Sequence, residues 1–187
     1  MGEEKTNNPL RNIVKSVIKY KGHILDLCVD TVKFPSGIEK EREVVLHASA
    51  VAILPVNEKG EILLVKQYRH AVDEEIYEIP AGLVEKGENP RDAAMRELQE
   101  EIGYKPDHLE EIAEFYSSPG FCTERIIVYY AWDLVQSKLP QDDDEYIKVK
   151  AFEPEELDKL VTARQIKDGK TLMAYFWYVA RRQRQRK

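Results

Sequence analysis

Residues 82–104 read GLVEKGENPRDAAMRELQEEIGY, and the placement of their charges decides how the chain folds. Asn89 is a good N-cap, Pro90 suits the first helical position, and Gly103 suits the left-handed residue just past a helix end. This punctuation predicts a helix over 90–102. At about 100° per residue, Ala94, Met95, Leu98 and Ile102 form an apolar stripe. Glu97, Glu100 and Glu101 fall on the adjacent arc, which they share with Ala93. Carboxylates so close repel one another, and more strongly where burial lowers the local dielectric. A hard divalent cation removes that repulsion, because Mg²⁺ and Mn²⁺ take oxygen ligands. The bland alternative is an acidic surface helix in which Arg96 pairs with Glu100, four residues on.

The flanking segments read mostly as strands. AVAILPV (50–56) is a near-continuous apolar run, as in a strand buried on both faces. NEKG (57–60) turns the chain into EILLVKQYRH (61–70), and IYEIPAG (76–82) is a short strand ending in glycine. ERIIVYYAWDLV (124–135) and IKVKAF (147–152) read as further strands, separated by the acidic loop QDDDEY (141–146). Glu153–Val161 and Thr171–Arg182 read as helices, the second with Leu172, Phe176 and Val179 on one stripe. Before all of these, NIVKSVIKY, HILDLCVDTVKF and EREVVLH predict a small antiparallel sheet, with PSG (35–37) as a turn. The fold class is therefore α+β, a mixed sheet with helices, preceded by a β-arm. The expected division is an arm over 1–47 and a main domain over 48–187.

Composition narrows the function classes. A chain of 187 residues, 43% hydrophobic and 33% charged, can bury the core of one domain. No apolar run approaches the ~20 residues of a membrane helix, and the start MGEEKTNNPLRN lacks a signal-peptide layout. A net charge of −6 argues against general nucleic-acid binding. The basic tail RRQRQRK (181–187) reads more simply as cations at a helix C-terminus than as an RNA-binding arm. Cys28 and Cys122 form no metal-like cluster, and two cysteines at this length point to a reduced, cytoplasmic setting.

The charged helix resembles the signature of the Nudix hydrolase family. That signature runs Gly, five residues, Glu, seven residues, Arg-Glu-aliphatic-x-Glu-Glu-x-Gly, then an apolar residue. Here it is Gly82, Glu88, Arg96, Glu97, Leu98, Glu100, Glu101, Gly103 and Tyr104, with an aromatic only at the last place. The resemblance implies a loop–helix–loop on an α/β/α sandwich and metal-dependent cleavage of a nucleoside diphosphate linked to another group. It also implies metal ligands at Glu97, Glu100 and Glu101, a further ligand in the Ala81 carbonyl, and an internal ion pair between Glu88 and Arg96. The cofactor it implies is Mg²⁺, with Mn²⁺ as the alternative.

Outside the signature, Pro119 in SSPGF lies fifteen positions after Tyr104, which resembles the ADP-ribose pyrophosphatase subfamily. HASAVAILPV, VKQYRHAV, EIPAGLVEKGE and DDDEYIKV resemble bacterial members of that group. The likeness implies substrate contacts at Arg69, Arg42, Glu124, Pro119 and Glu85. Arg42 is also placed to pair with Glu41 or Glu43. The general base is expected in the acidic loop, at Glu145, although some family members use a signature glutamate, here Glu100 or Glu101. A homodimer through the N-terminal arm is implied as well, with no nucleic-acid or membrane partner. The implied reaction is hydrolysis of ADP-ribose to AMP and ribose 5-phosphate. Two rivals stand beside it, and a third, an RNA-processing Nudix protein, is disfavoured by the acidic charge balance. One is a broader nucleoside diphosphate sugar pyrophosphatase acting on GDP-mannose, UDP-glucose or ADP-glucose. The other is a non-catalytic module that binds ADP-ribose and regulates a partner.

Overall fold

A computed structural model describes residues 12–140 and 146–185. These residues fall into two units. The first holds the described residues up to Ser49, with Tyr116–Arg125; the second holds Ala50–Phe115 and the described residues from Ile126 onward.

The first unit is an antiparallel sheet of three strands, β1 (Ile13–Lys21), β2 (Leu25–Lys33) and β3 (Glu39–His47), with β2 in the middle. Cys28 is its buried residue, while Ile13, Val14, Ile18, Tyr20 and Leu25 stay exposed. The segment 116–125 joins β3: the Val45 N–H donates to the Phe121 carbonyl at 2.7 Å, and the Thr123 N–H donates to the Val45 carbonyl at 2.9 Å.

The second unit contains two sheets. The larger has the order β7 (Ala81–Leu83), β4 (Ala50–Pro55), β9 (Arg125–Gln136), β8 (Tyr104–Tyr116). It is mixed, since β4 pairs antiparallel with β7 and parallel with β9. The smaller has β5 (Ile62–Arg69) between β10 (Lys148–Phe152) and β6 (Glu74–Glu78). Burial on both faces explains the unbroken apolar run of β4. Ala50, Ala52 and Leu54 enter one core with Leu157 of α2 (Pro154–Thr162) and Ala174, Tyr175 and Tyr178 of α3 (Gly169–Gln185). Val51 and Ile53 enter a second core with Ala93, Ala94 and Leu98 of α1 (Pro90–Glu101). Helices thus cover opposite faces of one sheet, which is the expected sandwich. No helix among the described residues is long and apolar enough to cross a membrane.

Three local expectations change. IYEIPAG is two strands, not one: β6 ends at Glu78 and β7 begins at Ala81, because Pro80 cannot donate to a ladder. A thirteen-residue strand, β8, fills 104–116, where no strand was expected. Its sequence, YKPDHLEEIAEFY, carries proline and acids that an edge strand tolerates. In α3 the buried face is Thr171, Ala174, Tyr175 and Tyr178, while Phe176 is exposed. Leu172 and Val179 pack only partly against the core. Both stripes have helical spacing, so periodicity alone did not choose between them.

Candidate active site

The α1 helix begins as its sequence predicts. Asn89 Oδ1 accepts the Arg91 N–H at 2.9 Å, and Pro90 fills the first turn. It ends where Gly103 takes φ of 75°, a left-handed value that costs glycine little. Its last five residues carry Glu97, Glu100 and Glu101, and its last turn has no basic residue. Carboxylates at a helix C-terminus oppose the helix dipole. Two of them are also buried, Glu97 at 9% exposure and Glu101 at 6%. Buried carboxylates are costly unless a cation or donors meet them.

Arg96 supplies part of that compensation. Its Nη1 donates to Glu97 at 2.7 Å and to Glu100 at 2.9 Å. Its Nε and Nη2 donate to the two oxygens of Glu88, at 3.0 and 3.1 Å, and Nη2 also donates to the Leu83 carbonyl at 3.0 Å. The Glu88 hydrogen bond, with the charge of Glu97 and the hydrogen bonds to Glu97 and Glu100, raises the guanidinium pKa far above its ordinary value. The same bond from Arg96 holds the Glu88 carboxyl below its usual range. Glu88 also accepts the Glu85 N–H at 2.9 Å, so the loop before α1 is tied to the helix. Glu85 itself is exposed in this turn.

The strand β7 lies against these carboxylates. The Ala81 N–H donates to Glu101 Oε2 at 3.1 Å. At Gly82 the approach is closer still: an added Cβ would meet the Glu97 carboxylate carbon and one oxygen at 2.0 Å. Only glycine leaves room for a carboxylate there. Arg69 ends β5 nearby, and its guanidinium pKa is raised by hydrogen bonding to Glu78 and by the charges of Glu78, Glu101 and Asp168.

The donor set fits a hard divalent cation. All its side-chain donors are carboxylate oxygens, and two of them already converge on one positive nitrogen, Arg96 Nη1. Among the described residues, no three acidic, His or Cys side chains are gathered into a ready-made metal cluster. Arg96 Nη1 engages Oε1 of Glu97 and Oε2 of Glu100.

Thus Ala81, Glu97, Glu100, Glu101, Glu88, Arg96 and Arg69 come together in the second unit. Arg42, Pro119 and Glu124 belong to the first unit. Arg42 is exposed on β3, donates to the Glu41 carbonyl at 3.1 Å, and lies 5.4 Å from the Phe34 ring centre. Pro119 is exposed in a turn whose Ser118 carbonyl accepts from Phe121 and Cys122. Glu124 lies 3.5 Å from His47 Nδ1. Glu145 lies outside the described residues.

Sequence reasoning passed over Glu78. It is 2% exposed, and Arg69 grips it through Nε at 2.6 Å and Nη2 at 2.9 Å. Burial would raise its pKa, but Arg69 and Lys170 outweigh burial and hold it low. The signal was a charged residue between Tyr77 and Ile79 in the otherwise apolar stretch IYEIPAG.

Comparison with known proteins agrees with this geometry. The NUDIX domain model matches residues 46–175. An ADP-ribose pyrophosphatase of Bacillus subtilis (strain 168) is 42% identical, over 92% of this chain and 90% of its own. A methanol dehydrogenase activator of Bacillus methanolicus is 37% identical over the same shares. A crystal structure of an ADP compounds hydrolase superposes with a TM-score of 0.84 at 19% identity, covering 93% of this chain and 95% of its own. A complete signature helix on the matching sandwich, with a matched segment that spans most of the sequence, places the chain in the Nudix hydrolase family.

Proposed function

We propose that this Nudix hydrolase cleaves the pyrophosphate bond of ADP-ribose, giving AMP and ribose 5-phosphate. The observation that carries the chemistry is the buried pair Glu97 and Glu101 beside Arg69, acidic groups for a cation next to a cation for phosphate. The substrate rests on the Bacillus subtilis relative, whose name is ADP-ribose pyrophosphatase.

Divalent metal is the chemistry of this family, and we assign Mg²⁺ here. Glu97, Glu100, Glu101 and the Ala81 carbonyl would hold it. When bound, it neutralises diphosphate charge and makes water more acidic. The protein supplies the rest. Arg69 donates to a phosphate oxygen, a task its planar guanidinium suits. Glu88 and Arg96 fix the loop that carries Ala81 and Gly82. Glu145 takes the proton of the attacking water as its oxygen bonds to phosphorus. The bridging P–O bond breaks, and the displaced phosphate leaves with that electron pair. Arg42, Glu85, Pro119 and Glu124 are assigned to the nucleoside and ribose.

Residues 1–47 are assigned as a dimerisation arm, and 48–187 as the catalytic domain. The exposed apolar residues on β1 and β2 support a homodimer, because a three-stranded sheet this open gains from a partner surface. Light scattering on the purified protein tests it, and a monomer contradicts it. Two free thiols, Cys28 and Cys122, support a cytoplasmic location, which cell fractionation tests.

A substrate panel with Mg²⁺ or Mn²⁺ tests the reaction. It includes ADP-ribose, GDP-mannose, UDP-glucose, ADP-glucose, NADH and diadenosine polyphosphates, with products separated by chromatography. The proposal expects ADP-ribose to give the highest kcat/KM. A preference for another nucleotide sugar overturns the substrate assignment.

A further inference from the structure

Lys170 stands in the first turn of α3, where the positive end of the helix dipole disfavours a cation. Its side chain is only 12% exposed. An ammonium so placed needs carboxylates around it. Two are present: Lys170 Nζ donates to Glu78, and to Asp168 at 3.0 Å. Asp168 has a second task. It accepts the Thr171 N–H at 2.9 Å and the Thr171 hydroxyl at 2.5 Å, capping the start of α3. Thr171 in turn accepts the Ile79 N–H at 2.8 Å, which ties that helix end to the residue after Glu78.

Glu78 is therefore shared between two cations. Arg69 turns Nε and Nη2 toward it. Among the described residues, Arg69 Nη1 has no protein acceptor, and the Arg69 side chain is 42% exposed. That nitrogen is the one left to meet a ligand. If Glu78 had Arg69 as its sole partner, the carboxylate would cancel the guanidinium charge. With Lys170 present, two cations, Arg69 and Lys170, face two carboxylates, Glu78 and Asp168, and the group is neutral; without Lys170 it would carry one net negative charge.

We propose that Lys170 is a positioning residue for substrate binding: by pairing with Glu78 and Asp168 it keeps the group around Arg69 from carrying a net negative charge that would repel the diphosphate. This rests on the assignment of Arg69 to diphosphate made above. Lys170 touches no substrate in this account and acts through Glu78 and Arg69.

The test compares Lys170→Met, Lys170→Arg and the double variant Lys170→Met/Glu78→Gln, each as the full chain. Steady-state kinetics use the diphosphate that the wild type turns over best. Calorimetry measures binding of inorganic pyrophosphate without metal. Lys170→Met should raise KM about tenfold with kcat within about threefold, because only binding is lost. Lys170→Arg should stay within about threefold of wild type, since it keeps the charge. The double variant removes the surplus carboxylate, so its KM should fall back to within about threefold of wild type. Pyrophosphate affinity should follow the same order.

An unchanged KM in Lys170→Met, even with a lower Tm, overturns the proposal by making Lys170 structural. A double variant that binds more weakly than Lys170→Met also overturns it. Should Lys170→Met fail to fold, the double variant decides against wild type: parity supports the charge account, and about a tenfold loss of affinity contradicts it. A wild type inactive on every diphosphate overturns the functional reading alone, and pyrophosphate binding then decides this inference.

Discussion

A Cβ built on Gly82 would stand 2.0 Å from the carboxylate carbon of Glu97, far inside any contact that real atoms make. The strand and the helix meet there with nothing between them but a hydrogen. The clash is with the flexible end of a side chain, so the backbone need not move. Gly82→Ala should displace the Glu97 carboxylate and its contact with Arg96. We expect a kcat/KM loss of about tenfold or more, with a Tm drop of no more than about 4 °C. Parallel measurement of kinetics and thermal unfolding checks this; unchanged activity contradicts it.

Asn89 offers the opposite case, a residue that shapes the helix without touching its chemistry. Its side chain satisfies the Arg91 N–H. Asn89→Ala should cost about 1 kcal/mol, or roughly 2–4 °C in Tm for a chain of this size. The kcat should stay close to wild type. A large kcat loss at full folding would mean that helix entry controls the carboxylates.

Acid should destabilise the fold in a definite window. Arg69 and Lys170 overcome burial to hold Glu78 low, and Arg96 holds Glu88 low. A carboxyl whose folded pKa lies below its unfolded value contributes stability above the unfolded value, about 4.3 for Glu. That contribution is lost as pH falls through the folded pKa. Tm should thus be nearly level from about pH 7 to 5 and fall below about pH 4. Glu88→Gln should flatten the acid limb. An identical limb in the variant contradicts a role for Glu88.

For Glu145→Gln the expected result is a kcat loss of about a hundredfold or more with KM little changed, as for a group that moves a proton in the transition state. A rise in KM alone would make Glu145 a binding residue and leave proton abstraction to Glu100 or Glu101.

Much of the fold was legible because its signals are local. Asn89, Pro90 and Gly103 mark both ends of α1, and the apolar run at 50–56 announces a strand buried on two faces. β8 was not legible, since an edge strand need not alternate and can carry Pro106 and several acids. Nor could spacing choose the core face of α3, where two stripes compete and packing against β4 selects Ala174, Tyr175 and Tyr178. In the site, the carboxylates of α1 were readable from helical geometry. The network of Glu78, Arg69, Asp168 and Lys170 was not, because Lys170 and Glu78 are 92 residues apart and meet only in the folded chain. The Arg96 bridge was half visible: its pairing with Glu100 follows from i,i+4 spacing, while its simultaneous hold on Glu97 and Glu88 needed coordinates.

Whether the α1 carboxylates jointly hold a divalent cation is read from Mn²⁺ binding followed by electron paramagnetic resonance. Glu101→Gln keeps an oxygen for the Ala81 N–H but loses the charge. Mn²⁺ should bind Glu101→Gln at least about tenfold more weakly than wild type, at similar Tm in metal-free buffer. Equal Mn²⁺ affinity in the two proteins would contradict joint binding.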